Sequence, residues 1–245
     1  MSLTIWIQCG GESRVSSLYA EPWRLVESQL HIQTRHLVDS DEEHSRLEEL
    51  IDSVKPPLPN YPSGLHYLLW TPFRYRAARD GTRFGKKGEI PVWYGAGEVE
   101  TCLYEWAAHR FLFLDDCGVD LGRQTIPLTS FQAVVITDRG IDLFSSPFDK
   151  HRNKICDRDS YQESQSLGKD MHKAGVQAFR YPSARDPKGA TCFGVFDPFA
   201  FAESEPRRTS YGSWTLQSDC DRALFFDTDD PLTPRSIEVA RHQVI

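Results

Sequence analysis

The stretch that decides the fold runs from residue 71 to residue 110: TPFRYRAARDGTRFGKKGEIPVWYGAGEVETCLYEWAAHR. Its period changes part-way along. Ile90–Ala96 is rich in branched and aromatic residues and reads as a strand. From Gly97 the spacing predicts a helix to about Leu114, burying Val99, Cys102, Leu103, Trp106 and Ala107. The same criteria make Leu65–Tyr75 a strand. Two phosphate cradles that the glycines suggest are excluded. Gly81-Thr82-Arg83-Phe84-Gly85-Lys86-Lys87 has one residue too few between its glycines for a P-loop, and Lys87 stands where Ser or Thr would hold magnesium. Gly95-Ala96-Gly97 lacks the third glycine of a dinucleotide fingerprint, that region holding Glu100 and Thr101 instead.

Downstream, Ala133–Thr137, Val176–Tyr181, Cys192–Phe196, Ser213–Leu216, Ala223–Phe226 and Ile237–Ala240 read as strands. Ser160 and Glu163 form a capping box for a helix that stops at Gly175. Upstream, Pro22 suits a first helical turn, with Trp23, Val26 and Leu30 following at helical spacing. A second capping box, Ser40 with Glu43, precedes the apolar face Leu47, Leu50, Ile51 and Val54. Pro56, Pro57 and Pro59 end that helix. The expected fold class is α+β with a mixed or antiparallel sheet core. The expected division is an N-terminal helical extension over residues 1–60 and a main domain over 61–245.

Length and composition bound the function. A chain of 245 residues, 40% hydrophobic and 26% charged, can bury a sizeable core. No apolar run reaches the ~18 residues of a membrane span. LTIWIQC at residues 3–9 is too short for a signal-peptide core, so a cytoplasmic location is expected. A net charge of -7 argues against a nucleic-acid backbone as direct partner. The six cysteines are scattered without a CxxC and read as free thiols. The eight histidines make no HExxH or His/Cys cluster, so no metal site is expected.

Four residues stand out for chemistry: Arg83 in a glycine-flanked loop, Tyr94 near the end of a strand, Glu105 on the helix after it, and Ser183 in FRYPSARD. Any one of them alone has an ordinary surface or turn explanation. Their order resembles the RES domain family, whose pattern has a G-x-R-[FW] turn, a strand ending in Tyr, and Glu eleven residues later on a helix. The second block also matches: a helix over Tyr161–Ala174, an apolar strand, Pro182-Ser183, then Phe196-Asp197-Pro198. RLVESQ and LVDSDEEHSRLEELID upstream are similar to a longer RES subgroup with a helical extension. Phe84-Gly85 departs from the Trp-Asn of many members, so no contact of that Asn is carried over.

The resemblance implies a fold related to ADP-ribosyltransferases, NAD as substrate, and inorganic phosphate or water as acceptor of ADP-ribose, the family being known for toxins. A protein acceptor and an inactive NAD-binding module are the alternatives. It also implies an Xre-like helix-turn-helix antitoxin as partner; homo-oligomerisation stays open. On this reading Glu105 stabilises an oxocarbenium-like transition state. Arg83 forks onto the pyrophosphate, Tyr94 stacks on the cationic nicotinamide, and Ser183 orients nicotinamide or its ribose. Helical phase does not choose between Glu100 and Glu105; only motif position does. Arg74 and Arg76 are weaker candidates for the attacking phosphate or the adenosine side, at least one of them serving as an ion-pair partner. Lys86 and Lys87 read as solvated charges.

Overall fold

The structure, a computed structural model, describes residues 3–28, 37–75, 81–229 and 235–245. Arg76 and Leu30 lie outside the described residues. Among the described residues ten strands form one sheet: β1 Ser16–Ala20, β2 Trp23–Glu27, β3 Trp93–Ala96, β4 Gln124–Gln132, β5 Val135–Asp142, β6 Ala178–Pro182, β7 Thr191–Val195, β8 Gly212–Ser218, β9 Arg222–Asp227 and β10 Ser236–Ala240. Their spatial order is β1-β5-β6-β7-β3-β2-β4-β8-β9-β10. β5 and β6 pair in parallel; the other neighbours are antiparallel. The α+β class and the mixed sheet are as the sequence predicts.

Seven helices accompany the sheet among the described residues: α1 Ile5–Gln8, α2 Asp41–Val54, α3 Tyr67–Arg74, α4 Val99–Cys117, α5 Arg152–Ile155, α6 Gln162–Lys173 and α7 Arg241–Val244. In α4, Leu103, Ala107 and Phe111 recur every four residues and are completely buried, which anchors the helix on the sheet. Gly118 ends α4 at φ +64°, where a left-handed residue releases the chain cheaply. Side-chain alternation along β3 separates two cores. Trp93 packs with Phe131, Phe201 and the Leu68, Leu69, Phe73 face of α3. On the other side, Tyr94 meets the larger core that α4 and α6 share with Phe84, Phe179 and Tyr181.

Three local expectations are corrected. Leu65–Tyr75 is not a strand: α3 occupies it, the His66 side chain accepting the N–H of Leu68 at the cap, and Leu68, Leu69 and Phe73 facing the core. A short apolar run fits a helix or a strand equally well, and the cap decides this one. The helix expected from Pro22 is also not formed over the described residues up to Ser28: β1 and β2 lie on either side of Glu21 and Pro22 and both enter the sheet, so the first 60 residues are not a purely helical layer. Finally, Ser160 caps no box; its hydroxyl accepts from Gln162 N at 3.4 Å, and α6 starts without a side-chain cap. The Ser40–Glu43 cap of α2 does form, at 3.1 Å. The apolar face expected on α2 is not covered: the helix has no buried residue, and Val54 is 81% exposed.

α6 lies against the turn before β3. A Cβ on Gly168 would stand 2.0 Å from the Phe84 carbonyl oxygen, so only glycine permits this approach. Gly168→Ala is expected to cost about 1–3 kcal/mol by overpacking, read as a lowered urea midpoint with an unchanged slope.

Candidate active site

The Gly81–Gly85 turn is built by its own side chains. Gly81 sits at φ +85°, and a Cβ there would meet the Gly85 carbonyl at 2.4 Å. Thr82 N donates to Gly85 O at 2.7 Å, and Gly85 N donates to the Thr82 hydroxyl at 3.1 Å. Tyr94 reaches back from β3: its hydroxyl lies 2.9 Å from that of Thr82 and accepts Phe84 N–H at 3.1 Å. Burial pushes the Tyr94 hydroxyl up to about 12, so it stays protonated. The turn presents Arg83 to the interior, 7% exposed. Its Nη1 donates to Asp157 O at 2.6 Å and Ile155 O at 3.2 Å, and its guanidinium lies over the Tyr161 ring at 4.7 Å.

Glu105 lies two turns into α4, and Ser183 follows β6. The Ser183 hydroxyl donates to Glu105 Oε1 and accepts the backbone N–H of Arg185 at 3.1 Å and of Asp186 at 2.9 Å. Asp186 in turn accepts from Thr101 Oγ1 at 2.8 Å, pinning the loop to the first turn of α4. The Cys192 thiol also lies near Oε1, at 3.7 Å, and burial raises it well above its usual range. Ser183 is therefore committed to protein groups, and the site it serves is the Glu105 carboxylate. Glu100, one and a half turns earlier, instead meets Lys188 and Arg235, both at 3.5 Å. Tertiary contact separates the two glutamates that helical phase leaves equivalent.

Arg83, Tyr94 and Glu105 line one cavity of about 420 Å³, at the seam between β2 and β3. That volume falls within the ~300–1,000 Å³ of small-molecule sites. Ser183 stands behind its wall. Arg74 is elsewhere: its Nε donates to Pro56 O at 2.7 Å and Nη1 lies 3.6 Å from Asp52, so it tethers α3 to α2 and its neighbourhood. Lys86 and Lys87 are exposed.

The sequence reading missed three cavity residues: Arg24, His109 and Arg185. Arg185 is 4% exposed and donates to Val244 O at 2.6 Å, Arg158 O at 3.0 Å and the Tyr161 hydroxyl at 3.3 Å. Arg24, on β2, donates to Tyr94 O at 2.8 Å. His109 is one helical turn beyond Glu105; its surroundings lower its pKa through desolvation against the pull of Glu105, which favours the neutral ring. The i, i+4 spacing from Glu105 was a visible signal for His109. Nothing local marked the two arginines. Arg24, Arg83 and Arg185 all lean on carbonyl or hydroxyl oxygens, and none forms an ion pair among the described residues.

A family model described as RES domain matches residues 58–219. The chain belongs to the RES domain family. The matched span holds Arg83, Tyr94, Glu105 and Ser183, and leaves Arg24 outside it. No curated protein matches the chain. Among solved structures, the chain is similar to one chain of the crystal structure of the M. tuberculosis MbcT–MbcA toxin–antitoxin complex, at 12% identity over 87% of this chain and 92% of that chain, with a TM-score of 0.47. Among the described residues no group of His, Cys, Asp and Glu could hold a metal, and no helix is long and apolar enough to cross a membrane.

Ser183→Ala leaves two buried N–H groups without their acceptor and the Glu105 carboxylate without its donor. A loss of about 1–3 kcal/mol is expected, measured by thermal or urea unfolding, with Ser183→Thr recovering part of it.

Proposed function

We propose that this RES domain protein cleaves the bond between nicotinamide and ribose in NAD and passes ADP-ribose to phosphate or to water. The observation that carries the reading is one cavity in which a hydroxyl-anchored carboxylate, Glu105, shares the lining with three arginines that have no carboxylate partners among the described residues. A pocket with that balance suits a ligand that is anionic at its pyrophosphate and cationic at its nicotinamide.

The chemistry follows from the groups present. As the C–N bond breaks, nicotinamide takes the electron pair and leaves neutral, so its departure needs no general acid. Positive charge grows on the ribose, and a fixed carboxylate beside it stabilises the transition state more than the ground state. The Ser183 hydroxyl and the Cys192 thiol both lie on Oε1 of Glu105, leaving Oε2 without a protein partner among the described residues. An oxygen of the acceptor then bonds to the anomeric carbon, and in hydrolysis the water proton passes to solvent or a cavity base. Arg83 and Arg185 supply guanidinium groups for the pyrophosphate. Tyr94, Trp106, Tyr161 and Tyr181 supply rings around the cavity, Tyr94 being the one assigned to the cationic nicotinamide. Its hydroxyl already belongs to the turn, so its contribution is the ring face.

In the cell this activity would deplete NAD and act as a toxin, held in check by an Xre-like helix-turn-helix antitoxin in the cytoplasm. RES domain membership supports that role. Co-expression tests it: growth arrest by the chain alone, relieved by an adjacent antitoxin gene.

Purified protein incubated with NAD should release nicotinamide, with the phosphate dependence identifying the acceptor. Glu105→Gln should lower turnover by about 10²-fold or more while the fold survives. No release from the wild type, with or without phosphate, rules the reading out. Label from NAD appearing on a protein band in lysate would move the acceptor to a protein.

A further inference from the structure

Arg24 reaches the cavity from β2, the opposite side of the seam from Arg83 and Tyr94. One of its N–H groups is used: Nη1 donates to Tyr94 O at 2.8 Å. Its Nε is buried with no hydrogen-bond partner, a condition rare in folded proteins and usually a sign of a missing acceptor. The Trp93 ring lies 5.1 Å from the guanidinium carbon and shields it without accepting a directed bond. Glu27, the acidic lining residue on the same strand, is at its exposed end.

We infer that Arg24 forms a phosphoryl-anion subsite on the β2 wall of the cavity, taking free phosphate or one phosphoryl group of a larger ligand. A tetrahedral oxyanion offers several acceptors at once, which a planar guanidinium can meet through the N–H groups not used by Tyr94. Burial depresses the Arg24 pKa to about 10, as expected of a guanidinium enclosed without an anion; it remains charged at neutral pH. Arg83 and Arg185 line the same space, so a ligand with more than one negative charge fits it better than a lone carboxylate. Arg24 also lies before the family-matched span, residues 58–219, so this subsite is supplied by sequence outside the common domain. The anion subsite stands on geometry alone; its use as the acceptor site rests on the reaction proposed above.

Calorimetry on the full chain tests it, with inorganic phosphate and NAD titrated separately into the wild type, Arg24→Gln, Arg24→Lys and the surface control Arg46→Gln. Arg24→Gln is expected to weaken phosphate binding about ten-fold or more, Arg24→Lys less, because it keeps the charge but not the fork. Arg46→Gln should match the wild type. Weaker phosphate with unchanged NAD assigns Arg24 to free phosphate. Loss of both, with NAD displacing phosphate, assigns it to the dinucleotide. Equal binding of both ligands by the wild type and Arg24→Gln, or binding of neither by the wild type, overturns the subsite. Should Arg24→Gln fail to fold by circular dichroism, Arg24→Lys decides alone, and wild-type affinity for both ligands overturns the proposal. Nicotinamide release, read in parallel, reports on the proposed reaction separately: a chain that binds phosphate through Arg24 yet releases no nicotinamide refutes the reaction and keeps the subsite.

Discussion

Between β2 and β3 the backbone ladder consists of one residue pair, Trp23 with Ala96. Elsewhere neighbouring strands run together for three to seven pairs, so this is where the sheet comes apart. Backbone polar groups there still need partners, and side chains provide them. Arg24 donates to Tyr94 O, and the Cys102 thiol donates to Trp23 O at 3.3 Å. Gly95 lets the strands meet at the pivot, since a Cβ there would stand 2.7 Å from Trp23 O. Beyond it they diverge, α4 spans the opening, and the space left over is the cavity. A fully paired sheet would have no room for a ligand at that position.

The electrostatics follow from the opening. A guanidinium taken out of water needs acceptors, and a carboxylate partner would meet the need at the cost of neutralising the site. Arg83 and Arg185 meet it with carbonyls from the ends of α5, α7 and the loop before α6. Carbonyl dipoles stabilise the cations yet leave their net charge in place. Glu105 is treated in the complementary way, held by a hydroxyl donor that carries no charge. Both signs of charge therefore persist in one small volume without pairing with each other among the described residues.

Arg83 and Tyr94 were legible in the sequence because the turn and the strand that carry them were. Gly81 to Gly85 makes a turn whose geometry demands glycine, and Tyr94 falls on a strand readable from its branched and aromatic residues. Glu105 was separable from Glu100 only by motif, because the partners that distinguish them, Ser183 and the pair Lys188 and Arg235, come from distant segments. The strand reading of Leu65–Tyr75 failed because branched and aromatic content outweighed a histidine cap, which composition does not register. Pro22 misled in the opposite direction: φ near -65° suits a helix start and a bend between strands equally. Arg24 stayed invisible for the same reason, since a residue assigned to an amphipathic helix is not sought in a cavity wall.

That misreading matters for the site. Had residues 1–60 been a helical appendage, the cavity would belong wholly to the family-matched span. Instead β2 separates β3 from β4, pairing with β4 over five positions and with β3 over one. The N-terminal segment thus acts as the second wall of the site and as the bridge between the two halves of the sheet. Changes in β2 can alter what the cavity accepts without touching Arg83, Tyr94, Glu105 or Ser183. On the anion subsite proposed above, ligand specificity and sheet integrity depend on the same five-residue strand, so substitutions there should affect binding and stability together.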